Sequence, residues 1–231
     1  HAQFRRQRQM CIRDRHIFGI LDTFLMDKNL NNLFVISSPS GGGKSSLIEA
    51  LLSDPNAKRL SLSISFTTRR RRSNEKNGKN YYFVNSDEFK KKIKNNDFLE
   101  SAEVFKNFYG TDKKITEELL KTRDLLLELD WQGAFNIKEQ FNSVKNIFLI
   151  PPSYNILRNR LEKRGTESEE SITMRLSAAK EEISKYPFYD YLVLNDDFEN
   201  ALTDLKTIIL KKTSIRCLLY TSPSPRDREK S

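Results

Sequence analysis

A glycine-rich segment ending in Lys44-Ser45 is the first place in the chain where residue types and spacing could do chemistry. It follows a short apolar run at 33–37, which predicts a buried strand. Apolar residues at 47, 48, 51 and 52 recur at the spacing of a helix face, which predicts a helix over 44–52. The order strand, loop, helix is the setting that a phosphate-binding loop requires.

This loop has the chemistry to hold a nucleotide. Its glycines let successive backbone N–H groups converge on phosphate oxygens, and the positive end of the helix adds to the attraction. Lys44 can reach the β- and γ-phosphates, and the Ser45 hydroxyl can ligate Mg²⁺. The usual pattern has glycine where Ser38 stands. The sequence predicts a nucleoside triphosphate site made of Ser38, Pro39, Ser40, Gly41, Gly42, Gly43, Lys44, Ser45 and Ser46.

A second segment, 67–84, contains four consecutive arginines followed by two tyrosines. A guanidinium is a planar fork that binds a phosphate through two parallel hydrogen bonds, which a lysine cannot do. An arginine run is also typical of a solvated basic loop. Here, however, Glu75, Gly78 and Tyr81 follow the arginines at spaced positions, which favours a phosphate-binding site.

The residues of this segment resemble the signature of the guanylate kinase family, T-x-R-x-x-[KR]-x-x-[DE]-x-x-G-x-x-Y-x-[FY]. Every specified position is met between Thr67 and Phe83. The resemblance implies an enzyme that transfers the γ-phosphoryl group of ATP to GMP, giving ADP and GDP. It covers roughly residues 31–213 and continues through Phe98-Leu99-Glu100, Asn107-Phe108-Tyr109-Gly110-Thr111, Asp130-Trp131-Gln132-Gly133, Pro151-Pro152-Ser153, Arg164-Gly165-Thr166-Glu167 and Asn195-Asp196-Asp197.

The resemblance also implies how GMP is held. Guanine differs from adenine by its N1–H and N2–H₂ donors and its O6 acceptor. A carboxylate can accept from both donors, and hydroxyls can serve O6. The positions that match the guanine-reading residues of the family are Ser65, Glu100 and Thr111. The positions that match its GMP-phosphate site are Arg69, Arg72, Tyr81 and Tyr109, together with Glu75.

Two carboxylates, Glu128 and Asp130, lie at the end of the most apolar strand candidate, 125–129. Acidic groups at the carboxyl end of a parallel strand lie where Mg²⁺ and phosphates meet. By resemblance both residues belong to the GMP site. Asp130 and Ser45 also hold the Mg²⁺ that accompanies ATP, partly through water. The family usually has aspartate where Glu128 stands, so the carboxylate is displaced by the longer side chain.

Arginines also surround a break between two charged helices near residue 165. Ordinary ion pairs on helix surfaces are the competing interpretation. By resemblance this region is a lid that closes over ATP, where arginines neutralise charge on the transferring group. The ATP-binding residues implied outside the loop are Arg160, Arg164, Asn195 and Asp197. The catalytic residues implied are Lys44, Arg69, Arg164 and Arg175.

The composition excludes several other chemistries. The body of the chain lacks cysteine and histidine, because Cys11, Cys217, His1 and His16 all lie near the ends. A Cys/His zinc site, a Ser-His-Asp triad and a disulfide scaffold are therefore excluded there, which is consistent with a reducing cytoplasm. The net charge is +9 in 231 residues, but residues 1–30 carry +3 and 214–231 carry +2. The mild excess that remains in 31–213 is as expected for a binder of small polyanions as for a nucleic-acid binder, which weakens the case for nucleic acid. No apolar run is long enough to predict a membrane span, and the partners that the resemblance implies are ATP and GMP.

Strands and helices alternate along the body, which predicts an α/β protein with a mainly parallel sheet. The predicted strands are 33–37, 60–66, 81–84, 125–129, 147–150 and 191–194. The predicted helices are 44–52, 86–95 with Ser86 as N-cap, 113–121, 133–140, 154–163 with Ser153 as N-cap, 169–186 and 198–212.

The resemblance makes this the P-loop nucleoside monophosphate kinase fold over 31–213, with helices flanking the sheet. It implies a GMP-binding insert at about 65–111 and a helical lid at about 153–186. The ends, 1–30 and 214–231, have no regular period and resemble translated sequencing-adapter sequence, so we expect artefactual or disordered extensions.

Three alternatives to a GMP kinase are open at this stage. A catalytically inactive guanylate-kinase-like module that binds protein partners is the first, although Lys44 and Ser45 are retained. A kinase for another nucleotide is disfavoured by Glu100 and Thr111. A basic nucleic-acid binder is disfavoured by the distribution of charge.

Overall fold

A computed structural model describes residues 31–73, 75–163 and 168–211. The predictions for 1–30, for 214–231 and for Arg164 lie outside these ranges. No helix within them could span a lipid bilayer.

The described residues form nine strands and seven α-helices. The strands are Leu33–Ser37 (β1), Leu60–Leu62 (β2), Phe66–Thr67 (β3), Tyr82–Phe83 (β4), Phe98–Val104 (β5), Asn107–Asp112 (β6), Asp124–Glu128 (β7), Lys145–Ile150 (β8) and Tyr191–Leu194 (β9). The helices are Lys44–Leu52 (α1), Ser86–Lys94 (α2), Lys113–Leu120 (α3), Trp131–Gln140 (α4), Tyr154–Lys163 (α5), Glu169–Ser184 (α6) and Phe198–Ile209 (α7). Short 3₁₀ turns lie at Pro55–Ala57 and Tyr186–Phe188.

Five parallel strands form the central sheet in the order β2-β7-β1-β8-β9. The middle strand β1 pairs with β7, where Ile36 lies opposite Glu128, and with β8. Because all five strands run the same way, their carboxyl ends meet at one edge. This edge brings together the segments that follow β1, β7 and β9, which are 38–43, 129–130 and 195–197.

Both faces of the central sheet are covered, so the middle residues of its strands are mostly apolar. Phe34 and Ile36 of β1 point to a core shared with α1 and α7. Leu33 and Val35 point the opposite way, to a core shared with α3 and α4. All four side chains are buried. The α/β class with a mainly parallel sheet between helices is confirmed.

A second sheet lies outside this core, in the order β4-β3-β6-β5. Strands β5 and β6 pair antiparallel, and so do β3 and β6. The sequence indicated only a region rich in strand and loop here. Pairing between β3 and β6 joins residues more than 40 positions apart, and such contacts leave no local pattern.

Two local predictions were wrong. The apolar alternation at 60–66 is not one strand, because β2 belongs to the central sheet and β3 to the second one. The Ser63 amide still bonds to the Leu126 carbonyl, whereas the Ser65 carbonyl already accepts from Tyr82. A period of two cannot reveal a change of sheet.

The second error is the N-cap of α2, which is Asn85 and not Ser86. The Asn85 side chain accepts from the Glu88 amide at 2.8 Å, and Glu88 accepts from the Asn85 amide at 3.1 Å. This reciprocal capping box outweighs the preference of a serine for the cap one residue later. Ser153 is confirmed as the cap of α5, because its Oγ accepts from the Ile156 amide.

Candidate active site

An open cleft of about 200 Å³ lies at the carboxyl edge of the central sheet. Residues that follow β1 and β7 line one part of it, and residues of the second sheet and of α6 line the rest. The lining residues are Ser38, Pro39, Ser40, Gly41, Gly42, Gly43, Lys44, Ser45, Arg69, Arg72, Glu75, Tyr81, Val104, Phe105, Asn107, Tyr109, Glu128, Asp130, Arg175 and Glu182.

The glycine-rich loop turns back on itself between β1 and α1. Gly43 is the N-cap of α1 with a φ of 90°, a left-handed conformation that glycine adopts without strain. A Cβ at this position would lie 2.4 Å from Asn195 Nδ2, so the position also needs glycine for space. No side chain caps the start of α1 within the described residues. The amides at this positive helix end therefore face the cleft with their anion-binding capacity intact.

Two residues behind the loop hold its backbone. Asn195 Nδ2 donates to the Gly42 carbonyl at 2.7 Å, and Arg160 Nη1 donates to the same oxygen at 3.4 Å. Arg160 Nη2 also donates to the Asn195 carbonyl at 3.2 Å. Neither Arg160 nor Asn195 lines the cleft. These contacts make both residues supports of the loop in the geometry observed.

Lys44, Ser45 and Glu128 form a connected group at the end of β7. Lys44 Nζ donates to the Leu129 carbonyl at 3.1 Å and lies 3.8 Å from Glu128 Oε1. Ser45 Oγ donates to the same Glu128 oxygen at 3.1 Å. The longer side chain at position 128 therefore reaches the hydroxyl that was predicted to ligate a metal.

Asp130 lines the cleft and also caps a helix. Its Oδ1 accepts from the Gly133 amide at 2.9 Å and so caps α4. Burial raises the pKa of Asp130. No group of three or more His, Cys, Asp or Glu residues with metal-binding geometry occurs in the described ranges. The hard oxygens of Ser45, Glu128 and Asp130 nevertheless fit Mg²⁺, which takes few protein ligands and completes its shell with water and phosphate.

The residues predicted to bind the GMP phosphate lie together on the other side of the cleft. Arg69 Nη2 donates to Glu75 Oε1 at 2.7 Å, and the Arg72 amide donates to Glu75 Oε2 at 2.8 Å. Burial disfavours the charged carboxylate, but these hydrogen bonds outweigh it and lower the pKa of Glu75. The rings of Tyr81 and Tyr109 meet edge to face at 5.9 Å. Glu75 thus holds the arginines, and the tyrosines stand beside them.

The Tyr81 hydroxyl is suited to donate to an anion. Burial raises its pKa, so it keeps its proton. The Arg69 guanidinium carbon lies 5.5 Å from the centre of the Tyr81 ring. Charge and hydroxyl donors are therefore adjacent in this part of the cleft.

The predicted guanine-reading residues are buried next to the cleft rather than on its lining. Glu100 and Thr111 lie opposite each other on β5 and β6, and Thr111 Oγ1 donates to Glu100 Oε1 at 2.6 Å. Glu100 Oε2 lies close to Gly133, where an added Cβ would be 3.0 Å away. Burial raises the pKa of Glu100 to about 7, and the nearby Asp130 charge adds to the shift. Ser65 is also buried, and its backbone bonds to Tyr82.

Two predicted residues, Ser46 and Asp197, lie on helices away from the cleft. Ser46 is exposed on α1 and does not line the cleft. Asp197 caps α7 by accepting from the Asn200 amide at 2.9 Å, and it too lies off the cleft. Arg164 falls outside the described residues.

Four cleft residues were not predicted from the sequence: Val104, Phe105, Asn107 and Glu182. Glu182 lies on α6 with its carboxylate near Lys44, Asp130 and Arg175. Burial raises its pKa to about 7. A signal for Glu182 did exist, because it follows Arg175 by seven residues, which is two helical turns and hence the same face.

The fold and the cleft together define a phosphate-loop enzyme of the α/β class that acts on phosphorylated small molecules. Comparison with known proteins gives the family. The family model described as guanylate kinase matches residues 30–212, and the chain belongs to the guanylate kinase family.

Individual relatives agree. The chain is 50% identical over 178 residues to guanylate kinase of Escherichia coli K12, covering 77% of this chain and 86% of that one. It is 51% identical, with the same coverage, to guanylate kinase of Salmonella choleraesuis. A solved structure of guanylate kinase from Anaplasma phagocytophilum superposes with a TM-score of 0.67 at 36% identity, over 82% of this chain and 90% of that one. The family predicted from residues 67–84 is confirmed.

Proposed function

We propose that this chain catalyses the reversible reaction ATP + GMP → ADP + GDP. One observation carries the proposal: a phosphate loop with Lys44 and an arginine–tyrosine cluster line the same cleft. Each can hold one phosphorylated substrate. A transfer between two nucleotides requires two such anion sites side by side.

The arginine–tyrosine side is the GMP site. Arg69 and Arg72 bind the phosphate, with Tyr81 and Tyr109 as hydroxyl donors, and Glu75 keeps both arginines in place. The guanine base enters beyond them, towards Glu100, whose carboxylate accepts from N1–H and N2–H₂. Thr111 and Ser65 supply hydroxyls for O6. Adenine offers no donor at N1, so it leaves this buried carboxylate unpaired, and that is the basis of selectivity.

The phosphate loop is the ATP site. Its amides and the α1 terminus bind the β- and γ-phosphates, and Lys44 moves from the Leu129 carbonyl onto a phosphate oxygen. Arg160 and Asn195 keep the loop in shape from behind. Asp197 caps α7 two residues after Asn195, and by resemblance it serves the adenine end of the ATP site.

Ser45, Glu128 and Asp130 are the residues that would hold Mg²⁺, the last two in part through water. When bound, the ion neutralises charge on the β- and γ-phosphate oxygens. The Ser45–Glu128 hydrogen bond supports this assignment, because it brings the hydroxyl and carboxylate oxygens within 3.1 Å of each other.

The transfer needs no protein nucleophile. An oxygen of the GMP phosphate forms a bond to the γ-phosphorus as the bond to the β–γ bridging oxygen breaks, and ADP leaves with that electron pair. The attacking phosphate is already an anion at neutral pH, so no general base is required. Lys44, Arg69, Arg164 and Arg175 compensate the charge spread over the transferring group.

Closure is the remaining part of the proposal. The insert at about 65–111 and the lid at about 153–186 approach each other over the two nucleotides and exclude water, which limits wasteful hydrolysis of ATP. ATP and GMP are the only partners that the site requires. We place the enzyme in the cytoplasm, because a body without cysteine is consistent with a reducing compartment.

A turnover assay tests the function directly. Purified protein with Mg-ATP should release ADP in the presence of GMP far faster than with AMP, CMP or UMP. Lys44→Ala should abolish this release while its urea unfolding curve stays that of the parent. Absence of GMP-dependent ADP release from the parent would refute the enzyme and favour the inactive protein-binding module.

A further inference from the structure

The tip of the β5–β6 hairpin is a turn whose residues do not suit its backbone. Val104 pairs with Asn107, which leaves a loop of only two residues, Phe105 and Lys106. Their φ angles are 48° and 62°. Two-residue hairpins with positive φ at both positions strongly prefer Asn-Gly, and an aromatic residue is strained there. Such strain persists where the side chain has another role.

The Phe105 ring contacts an arginine from a distant part of the chain. The guanidinium carbon of Arg175, on α6, lies 4.6 Å from the ring centre. The same guanidinium donates from Nη1 to Ser40 Oγ of the phosphate loop at 2.8 Å. The hairpin, the lid helix and the phosphate loop therefore meet at one cation.

This arrangement restrains the side chain that it contacts. A free arginine samples many rotamers, and fixing it costs conformational entropy. A flat aromatic face beneath the guanidinium limits these rotamers and keeps the cation directed to the loop. The carboxylate of Glu182, two helical turns further along α6, would otherwise compete for the same cation.

We propose that Phe105 is a positioning residue: its ring holds Arg175 against the phosphate loop and so couples the GMP-binding hairpin to the ATP site. The proposal rests on the phosphoryl transfer described above. When the β5–β6 hairpin lies over the cleft, the Phe105 ring keeps Arg175 directed at Ser40. When the hairpin moves away, Arg175 loses this contact. The strained turn is retained because it presents this ring.

A double-mutant cycle between the two residues tests the coupling. Phe105→Leu keeps an apolar side chain of similar size but removes the aromatic face. It should lower kcat about 10-fold in the parent, within the range of a desolvated cation–π contact. In an Arg175→Ala background the same change should lower kcat no more than about 2-fold. An equal loss in both backgrounds would overturn the proposal, because Phe105 would then act independently of Arg175.

Two matched variants separate positioning from folding. Phe105→Tyr keeps the ring and should retain kcat within about 2-fold, whereas a loss as large as that of Phe105→Leu contradicts the proposal. Lys106→Gly relieves the same turn without touching the ring and should raise stability while leaving kcat unchanged. The KM for GMP should stay nearly constant in Phe105→Leu, since damage to the GMP site itself would raise it.

ATP binding provides a second readout of the same cycle. The Kd for MgATP, measured by titration in the absence of GMP turnover, should show the same non-additivity between positions 105 and 175. This measurement decides the proposal even where Arg175→Ala turns over too slowly to follow. Failure of the parent to phosphorylate GMP would refute the proposed function, whereas additive changes in Kd would refute the positioning role alone.

Discussion

The Ser38 hydroxyl occupies the space in which a side chain on Gly42 would have to stand. A Cβ added to Gly42 would lie 1.9 Å from Ser38 Oγ and 3.0 Å from the Pro39 carbonyl oxygen. Ser38 is buried, and its Oγ donates to that same carbonyl at 3.3 Å. The serine that departs from the usual phosphate-loop pattern is therefore matched by a glycine four residues later.

This relationship predicts compensation between the two positions. Gly42→Ala should lower the free energy of unfolding by about 1–2 kcal/mol, because the new methyl group displaces the Ser38 hydroxyl from its buried site. Ser38→Ala combined with Gly42→Ala should recover part of this loss, because the clash with the hydroxyl is gone while the Pro39 carbonyl oxygen stays 3.0 Å from the new methyl group. Urea unfolding of the four proteins measures the coupling, and a double variant no more stable than Gly42→Ala would contradict the steric account.

Arg69→Lys should impair the use of GMP and leave ATP binding intact. Lysine keeps the charge but loses the planar fork, so kcat/KM for GMP should fall at least about 30-fold. The KM for ATP should change less than about 2-fold. Arg70→Lys is the matched control, since Arg70 is exposed and does not line the cleft. Equal losses in both variants would mean that the effect is not specific to the guanidinium fork at position 69.

Glu100→Gln should weaken the recognition of GMP and raise the stability of the free protein. The amide no longer accepts from both guanine donors, so kcat/KM for GMP should fall about 100-fold. In the free protein, however, removing a buried carboxylate that is costly to ionise should raise the free energy of unfolding at pH 8, by up to about 3 kcal/mol. Steady-state kinetics and urea unfolding at pH 8 measure the two effects. A variant that binds GMP normally would remove Glu100 from the guanine site.

The pH dependence of that variant has a definite sign. The pKa of Glu100 rises from 4.5 to about 7 on folding, so the folded protein binds more protons than the unfolded chain between these values. Its contribution to stability is complete below pH 4.5 and is lost as the pH rises through 7. Glu182 has a similarly raised pKa and contributes a slope of the same sign. The free energy of unfolding should therefore fall less steeply between pH 5 and pH 8 in Glu100→Gln than in the parent, although it should still fall. Urea unfolding at several pH values in this range measures the slope.

Asn195→Ala should weaken the phosphate loop without touching a nucleotide. It leaves the Gly42 carbonyl with only the longer Arg160 contact, so we expect the free energy of unfolding to drop about 1–3 kcal/mol. The KM for ATP should rise about 5- to 10-fold. Asn85→Ala, which removes the α2 cap at a cost of about 1 kcal/mol, is the control and should leave that KM unchanged. A rise in both variants would point to general destabilisation.

Local chemistry explains what the sequence could predict. The phosphate loop is set by adjacent residues: an apolar strand, glycines that permit the turn, and an amphipathic helix. The bounds of β1, α1 and β9 were predicted correctly for this reason. The arginine cluster was recognisable because spaced residues in one segment, such as Arg69 and Glu75, pair with each other.

Long-range pairing explains what the sequence could not predict. The break between β2 and β3 depends on their partners, Leu126 and Tyr82, which lie far along the chain. The contact between Phe105 and Arg175 spans 70 positions and two secondary-structure types, so no periodicity encodes it. Glu182 is intermediate, because helical spacing places it on the Arg175 face but does not say that this face meets the cleft.

The support of the phosphate loop has a consequence for synthesis of the protein. Gly42 and the Asn195 amide that holds its carbonyl are separated by 153 positions. At ordinary elongation rates a ribosome adds the second residue roughly 8 to 30 s after the first. Through that interval the nascent chain carries Lys44 and Ser45 on a loop that still lacks its brace. The loop gains this brace only when Asn195, which follows β9, reaches Gly42, so we expect unfinished chains to bind ATP more weakly than the finished protein.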